Sequence, residues 1–233
     1  MNSAKPNGPG FFGKAPAHGD FIARRVPDAV VGKVDTWLQQ CLAASRATLV
    51  ERWVEVFRIS PLWRFAVSAN IWSDEGAVCG VMMPSVDRVG RYFPMVAIYE
   101  FQSEISLTSL PFSAKEWFSD LESVLLGCLE DAFDIDAFDD ELLALGPPPS
   151  LPKPSALTTR PSVLSGGGFE MTADRREDFE EEPLHTLELL ALGLSEGMSI
   201  WWSNGSDSIV PRFAMVPGLP EIGRFVGLLE DRE

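Results

Sequence analysis

The chain has 233 residues, 45% hydrophobic and 23% charged, proportions that exclude overall disorder and give enough length for a buried core without staples. Its formal net charge of −15 is unevenly placed: residues 1–99 carry 11 Lys/Arg against 8 Asp/Glu, and residues 100–233 carry 8 against 26, which excludes nucleic acid and anionic membrane as expected partners. No apolar run approaches the roughly 18 residues of a membrane span, and the start MNSAKPNGPG has no apolar signal core, so a cytoplasmic chain with no membrane insertion is expected.

In chain order, residues 10–21 (GFFGKAPAHGDF) alternate apolar residues with turn formers, which predicts a strand running into a loop. Val30, Val34, Trp37, Leu38, Cys41 and Leu42 then repeat at helical spacing after Pro27 and Asp28. A second helix is expected around Leu49, Trp53, Val56 and Phe57, stopped by Pro61. Residues 63–68, 77–83 and 95–101 are short apolar segments bounded by turns. The last two have few polar interruptions, as expected of strands covered on both faces.

Ser113 and Glu116 have the spacing of a capping box opening a helix with Trp117, Leu121, Val124, Leu125, Cys128 and Leu129 inward. Residues 131–141 read as a packed segment with a solvated acidic face. Residues 146–168 hold six prolines and end in three glycines, which predicts an extended, solvated crossing, followed by an acidic run at 170–182. Helical periodicity resumes at 184–194. Residues 199–215 read as a hairpin on a two-residue Asn204-Gly205 turn that joins the main sheet, and 219–229 as a closing helix. No repeat is visible. The expected fold is α/β, a three-layer α/β/α sandwich around a central mixed sheet, with all 233 residues in one domain.

Few residues form a pattern that carries chemistry. Cys41, Cys79 and Cys128 are odd in number and far apart, so they are expected to be buried thiols rather than disulfides or zinc ligands. Residues 8–14 fit GxxxxGK, but Ala15 supplies no hydroxyl for Mg²⁺, Pro16 removes an amide donor, and no apolar strand precedes Gly8. With two histidines and no ligand cluster, neither metal nor cofactor is expected. The aspartates of 131–140 lack the glycine of a calcium loop. His18 lies two residues from Asp20, which can orient a general base or simply make a loop hydrogen bond. The densest stretch is GVMMPSVDRVGRYFP, residues 80–94. There, Arg88 and Arg91 can fork onto a carboxylate or phosphate, or Asp87 can pair with one of them and pin the loop.

GFFGKAPAHGDF, Trp63-Arg-Phe65 and GVMMPSVDRVGRYFP, with Trp201-Trp202, Gly205-Ser206 and Gly218-Leu-Pro220 further on, resemble the TagF/ImpM family of type VI secretion accessory proteins. The resemblance spans nearly the whole chain, with residues 15–18 a departure. It implies a three-layer α/β/α fold and a regulator, not an enzyme, that restrains assembly of the secretion apparatus after translation. The implied partner is a forkhead-associated scaffold protein, and the family supplies no catalytic residues to carry over. The candidate partner-binding residues are Lys14, His18 and Asp20, with Ser85, Asp87, Arg88, Arg91 and Tyr92, because both dense stretches end in loops that can lie together. The acidic runs 131–141 and 170–182 are the alternative contact, suited to a basic pocket. A phosphate-handling or hydrolytic enzyme and a structural subunit of the apparatus are the competing readings.

Overall fold

The computed structural model describes residues 7–130, 132–150, 159–163, 169–173, 197–206 and 209–230. A seven-stranded sheet is built from β1 (Gly10–Gly13), β2 (Ile22–Arg24), β3 (Trp63–Val67), β4 (Val78–Met83), β5 (Met95–Glu100), β8 (Met198–Ser203) and β9 (Arg212–Pro217), in the order β2-β1-β5-β4-β3-β8-β9. β6 (Thr159–Val163) and β7 (Phe169–Ala173) pair separately as a hairpin. The class is α/β, but the sheet is antiparallel at every pairing rather than mixed. The reason lies in the connections. β3–β4 and β4–β5 are joined by segments of about ten residues, too short for the crossover that parallel neighbours need.

The central strands are buried along almost their whole length because apolar clusters form on both faces. Alternation divides their side chains between the clusters. Trp63, Phe65, Val67, Val78, Met82, Val96, Ile98 and Trp201 join one, with the inward faces of α1 (Asp28–Leu49) and α2 (Trp53–Ile59). Ala66, Cys79, Val81, Met83, Met95, Ala97, Tyr99, Ile200 and Trp202 join the other, with α4 (Lys115–Gly127) and α5 (Ile135–Ala144). Arg64 is the exception on a buried strand: it points a fork at Glu122 of α4, Nε to Oε1 and Nη2 to Oε2, both 2.7 Å. At Gly80 a Cβ would stand 1.8 Å from the Ala97 carbonyl oxygen and 2.8 Å from the Phe65 ring, so the strand needs glycine there.

The helical periodicity at 30–42 is realised in full: those six residues are buried on one face of α1, which Ser45 and Leu49 extend. The capping box is not. The turn α3 (Leu110–Ser113) takes Ser113 into a helix, α4 starts after Ala114 with no side-chain cap, and the Ser113 hydroxyl donates to the Pro149 carbonyl. Trp117, Leu121, Leu125 and Cys128 are buried, whereas Leu129 is exposed. The 199–215 hairpin forms and joins the sheet through β3, but Ser203 pairs with Arg212, leaving an eight-residue connection instead of a two-residue turn. Gly205, at φ +85°, opens that connection, where the Ile209 carbonyl would lie 2.4 Å from a Cβ.

The closing segment is a 3-10 turn, Ile222–Arg224, and a one-turn helix, α6 (Val226–Leu229). Within the Pro-rich stretch, residues 159–163 form β6 against 169–173, so part of the expected crossing is a paired strand. The helix expected at 184–194 and the acidic run beyond residue 173 lie outside the described residues. All three cysteines are buried, free thiols. No helix among the described residues is long and apolar enough to cross a membrane.

Candidate functional site

The two loops of interest meet where β1 leaves the sheet and where β4 hands over to β5. Gly13, at φ +149°, passes so close to β5 that a Cβ would stand 2.2 Å from the Pro94 carbonyl oxygen. This close approach delivers Lys14 beneath the 84–94 loop. That loop is a small hairpin: Val86 bridges Tyr92, the Asp87 amide donates to the Arg91 carbonyl at 3.0 Å, and the Gly90 amide donates to the Asp87 carbonyl at 2.9 Å. Gly90 sits at φ +86°, a conformation that glycine adopts without a steric penalty.

Asp87 is the hub. Its buried side chain accepts from Lys14 Nζ (2.7 Å) and Arg91 Nε (2.6 Å) on Oδ2, and from the Val89 and Arg91 amides (3.0 and 2.8 Å) on Oδ1. Burial pushes the Asp87 carboxyl up, but the Lys14 ammonium and the Arg91 amide and guanidinium outweigh it and hold the group well below the usual carboxylate range. The Arg91 guanidinium is in turn held more firmly protonated by its hydrogen bond to Asp87. Lys14 is only 5% exposed, with Nζ 4.9 Å from the centroid of the Phe21 ring, a cation–π contact.

The remaining bonds tie loop to loop. The Ser85 hydroxyl donates to the Lys14 carbonyl (2.7 Å), the Arg88 amide to the His18 carbonyl (2.9 Å), and Arg91 Nη2 to the Gly19 carbonyl. Arg91 Nη2 also lies 3.5 Å from Asp20 Oδ1. The structure therefore brings seven of the eight candidates into one cluster. Tyr92 stands at its inner edge, its ring against Trp53 and Phe57. His18 and Asp20 do not pair: Asp20 turns to Arg91, and His18 Nδ1 is buried with no hydrogen-bond partner among the described residues, its ring edge-on to Phe133. The GxxxxGK stretch is no phosphate cradle, because Gly10–Gly13 are strand β1 and the lysine is bonded to Asp87.

Sequence reading missed Phe21 and Val89. Phe21 is 46% exposed, stacked on Phe12 and edge-on to Phe93, and Val89 is 66% exposed at the loop tip. The signal was present in the three phenylalanines of residues 11–21, of which only two fit inside a strand.

The acidic alternative is partly neutralised from within. Asp134 caps α5 by accepting from the Asp136 and Ala137 amides, Asp136 pairs with Arg24 at 2.6 Å, and Asp139 pairs with Arg24 and Arg25. Among the described residues no cluster of three or more His, Cys, Asp or Glu side chains is placed to hold a metal ion.

Residues 10–145 match the TagF N-terminal domain, described as type VI secretion system-associated. This chain belongs to the TagF family. The TagF match covers both loops of the cluster and everything that frames them. The fold is also that of a solved structure, PA0076 from Pseudomonas aeruginosa PAO1, at 32% identity and a TM-score of 0.82, covering 97% of this chain and 95% of that one. The likeness therefore extends past the TagF N-terminal region through β8 and β9. No curated protein matches this chain.

Proposed function

We propose that this protein is a cytoplasmic, post-translational repressor of type VI secretion that acts by binding rather than by catalysis. It occupies a forkhead-associated scaffold protein and keeps it from the membrane-bound apparatus. The observation that carries this reading is membership of a type VI secretion-associated family over residues 10–145. The geometry of the loop cluster supports it: Lys14, Asp87 and Arg91 satisfy one another, and His18 and Asp20 are turned apart. Such groups shape a surface; they do not form a nucleophile, a base and a base-orienting group in hydrogen-bond reach. The same reading takes the fold as three layers, with α1, α2 and α6 on one face of the sheet and α4 and α5 on the other.

The test is recovery of partners on tagged protein from a lysate of type VI-active cells, with and without phosphatase treatment, beside a secretion assay on cells overproducing the protein. Retention of the scaffold in both lysates, with reduced secretion, is the expected result. Recovery of no secretion component, or secretion unchanged by overproduction, rejects it.

A further inference from the structure

We infer that the tip of the 84–94 loop is a preformed docking surface for an acidic segment of a partner protein, with the Arg88 guanidinium as its anchor. This rests on the binding-module reading above and adds the chemistry of the contact.

Three observations meet at the tip. The first is rigidity. Asp87 receives four donors, and three further bonds fasten residues 85–91 to the Lys14, His18 and Gly19 carbonyls. A buried Lys–Asp pair is a poor device for stability, since desolvation cancels much of its attraction. What this pair secures is the shape of a turn that exposes residues 88–91. Fixing that shape beforehand removes an ordering cost from any association.

The second observation is charge. The cluster holds three cations (Lys14, Arg88, Arg91) and two carboxylates (Asp20, Asp87), and all but Arg88 are in ion pairs. Arg88 is exposed, and no described residue pairs with its guanidinium, which lies over Gly19 with Nη2 3.5 Å from where a Cβ would stand. Its planar fork fits a carboxylate. The third is the apolar company. Val89 follows Arg88 on the fixed turn and is exposed, and Phe21, two residues after Gly19, is exposed on the aromatic stack of Phe12 and Phe93. A guanidinium with no partner among the described residues, followed by an exposed valine on a fixed turn, fits an acidic segment that also carries apolar side chains.

The test measures purified forkhead-associated scaffold binding to the full chain and to Arg88→Ala, Arg88→Glu and Val89→Asp, with Lys115→Glu as an equal charge change on exposed α4. A second arm follows backbone amide shifts on titration with a capped Glu-Glu-Leu-Glu-Glu-Leu-Glu-Glu peptide and its Gln counterpart. Arg88→Ala is expected to weaken scaffold binding about tenfold, Arg88→Glu further, and Lys115→Glu not at all. The Glu peptide is expected to shift the amides of Gly19 and residues 88–91, in a salt-sensitive manner that Arg88→Ala abolishes. Scaffold binding unchanged in Arg88→Glu and Val89→Asp overturns the inference while leaving the proposed function standing. A chain that never binds scaffold rejects the proposed function, and the peptide arm alone then decides: equal shifts with the Gln peptide, or none with either, overturn it.

Discussion

Replacing Asp87 by Asn removes one charge from the best-connected side chain in the loop cluster. Oδ1 keeps its two backbone amides, but the new amide group turns donors toward Lys14 Nζ and Arg91 Nε, which now hold carboxylate Oδ2 at 2.7 and 2.6 Å. Lys14 is left buried and unpaired. Breaking a buried pair from one side costs about 3–5 kcal/mol. For a chain of this size that lowers Tm by roughly 6–20 °C. Denaturant unfolding of Asp87→Asn, Lys14→Met and the double variant measures the coupling, and the double variant should fall short of the summed losses by about 1–3 kcal/mol. The acid limb of stability carries a second signature. The folded Asp87 carboxyl ionises below its unfolded value of about 3.9, so its contribution is complete above that pH and is lost as pH falls through the folded value. Asp87→Asn should flatten the profile below about pH 4. Additive single losses, or an acid limb identical to wild type, would refute the account of the hub.

Gly80→Ala should be among the most damaging single changes outside the cluster, costing about 3 kcal/mol or more or preventing soluble expression, because the Ala97 carbonyl and the Phe65 ring occupy the methyl's place. Val50→Gly should act in the opposite sense. This exposed valine sits at φ +48°, ψ −114°, a strained position for a β-branched side chain, and its replacement should raise stability by about 1 kcal/mol in denaturant melts. Burial pushes the Cys41 and Cys128 thiols up to about 12 and that of Cys79 up as well, so native protein at pH 8 should resist iodoacetamide and all three should react once it is unfolded.

Much of this fold is legible where the cause is local. The spacing of Val30 to Leu42 encodes the buried face of α1, and the unbroken apolar runs of β4 and β5 announce strands covered on both sides. What is not legible depends on distant partners. Strand direction follows from the short connections around β4, yet apolar runs are the sign usually read as parallel strands. Ser113 and Glu116 have capping spacing, but the helical turn at 110–113 and the Pro149 carbonyl claim the serine. In the cluster, the two loops could be expected to meet, and they do. The burial of Lys14 could not, because a lysine after glycine normally faces water and this one is drawn in by a carboxylate 73 positions away. Phe21 is exposed for a related reason, since Phe12 and Phe93 fill the space beneath it.

The pairing of β3 with β8 has a consequence for how the chain is made. Arg64 faces Trp202, a partner synthesised 138 residues later. At about 5–20 residues per second, a ribosome takes roughly 7–28 s to cover that interval. Once Glu100 has been made, and for the rest of that interval, β1 to β5 can assemble on one side while β3 offers bare amides and carbonyls on the other, and the place of the Trp201 and Trp202 rings stays empty. An open edge next to an unfilled core is a template for pairing with another chain. The nascent protein is thus most exposed to aggregation late in its synthesis, and truncation before residue 198 should make that exposure permanent.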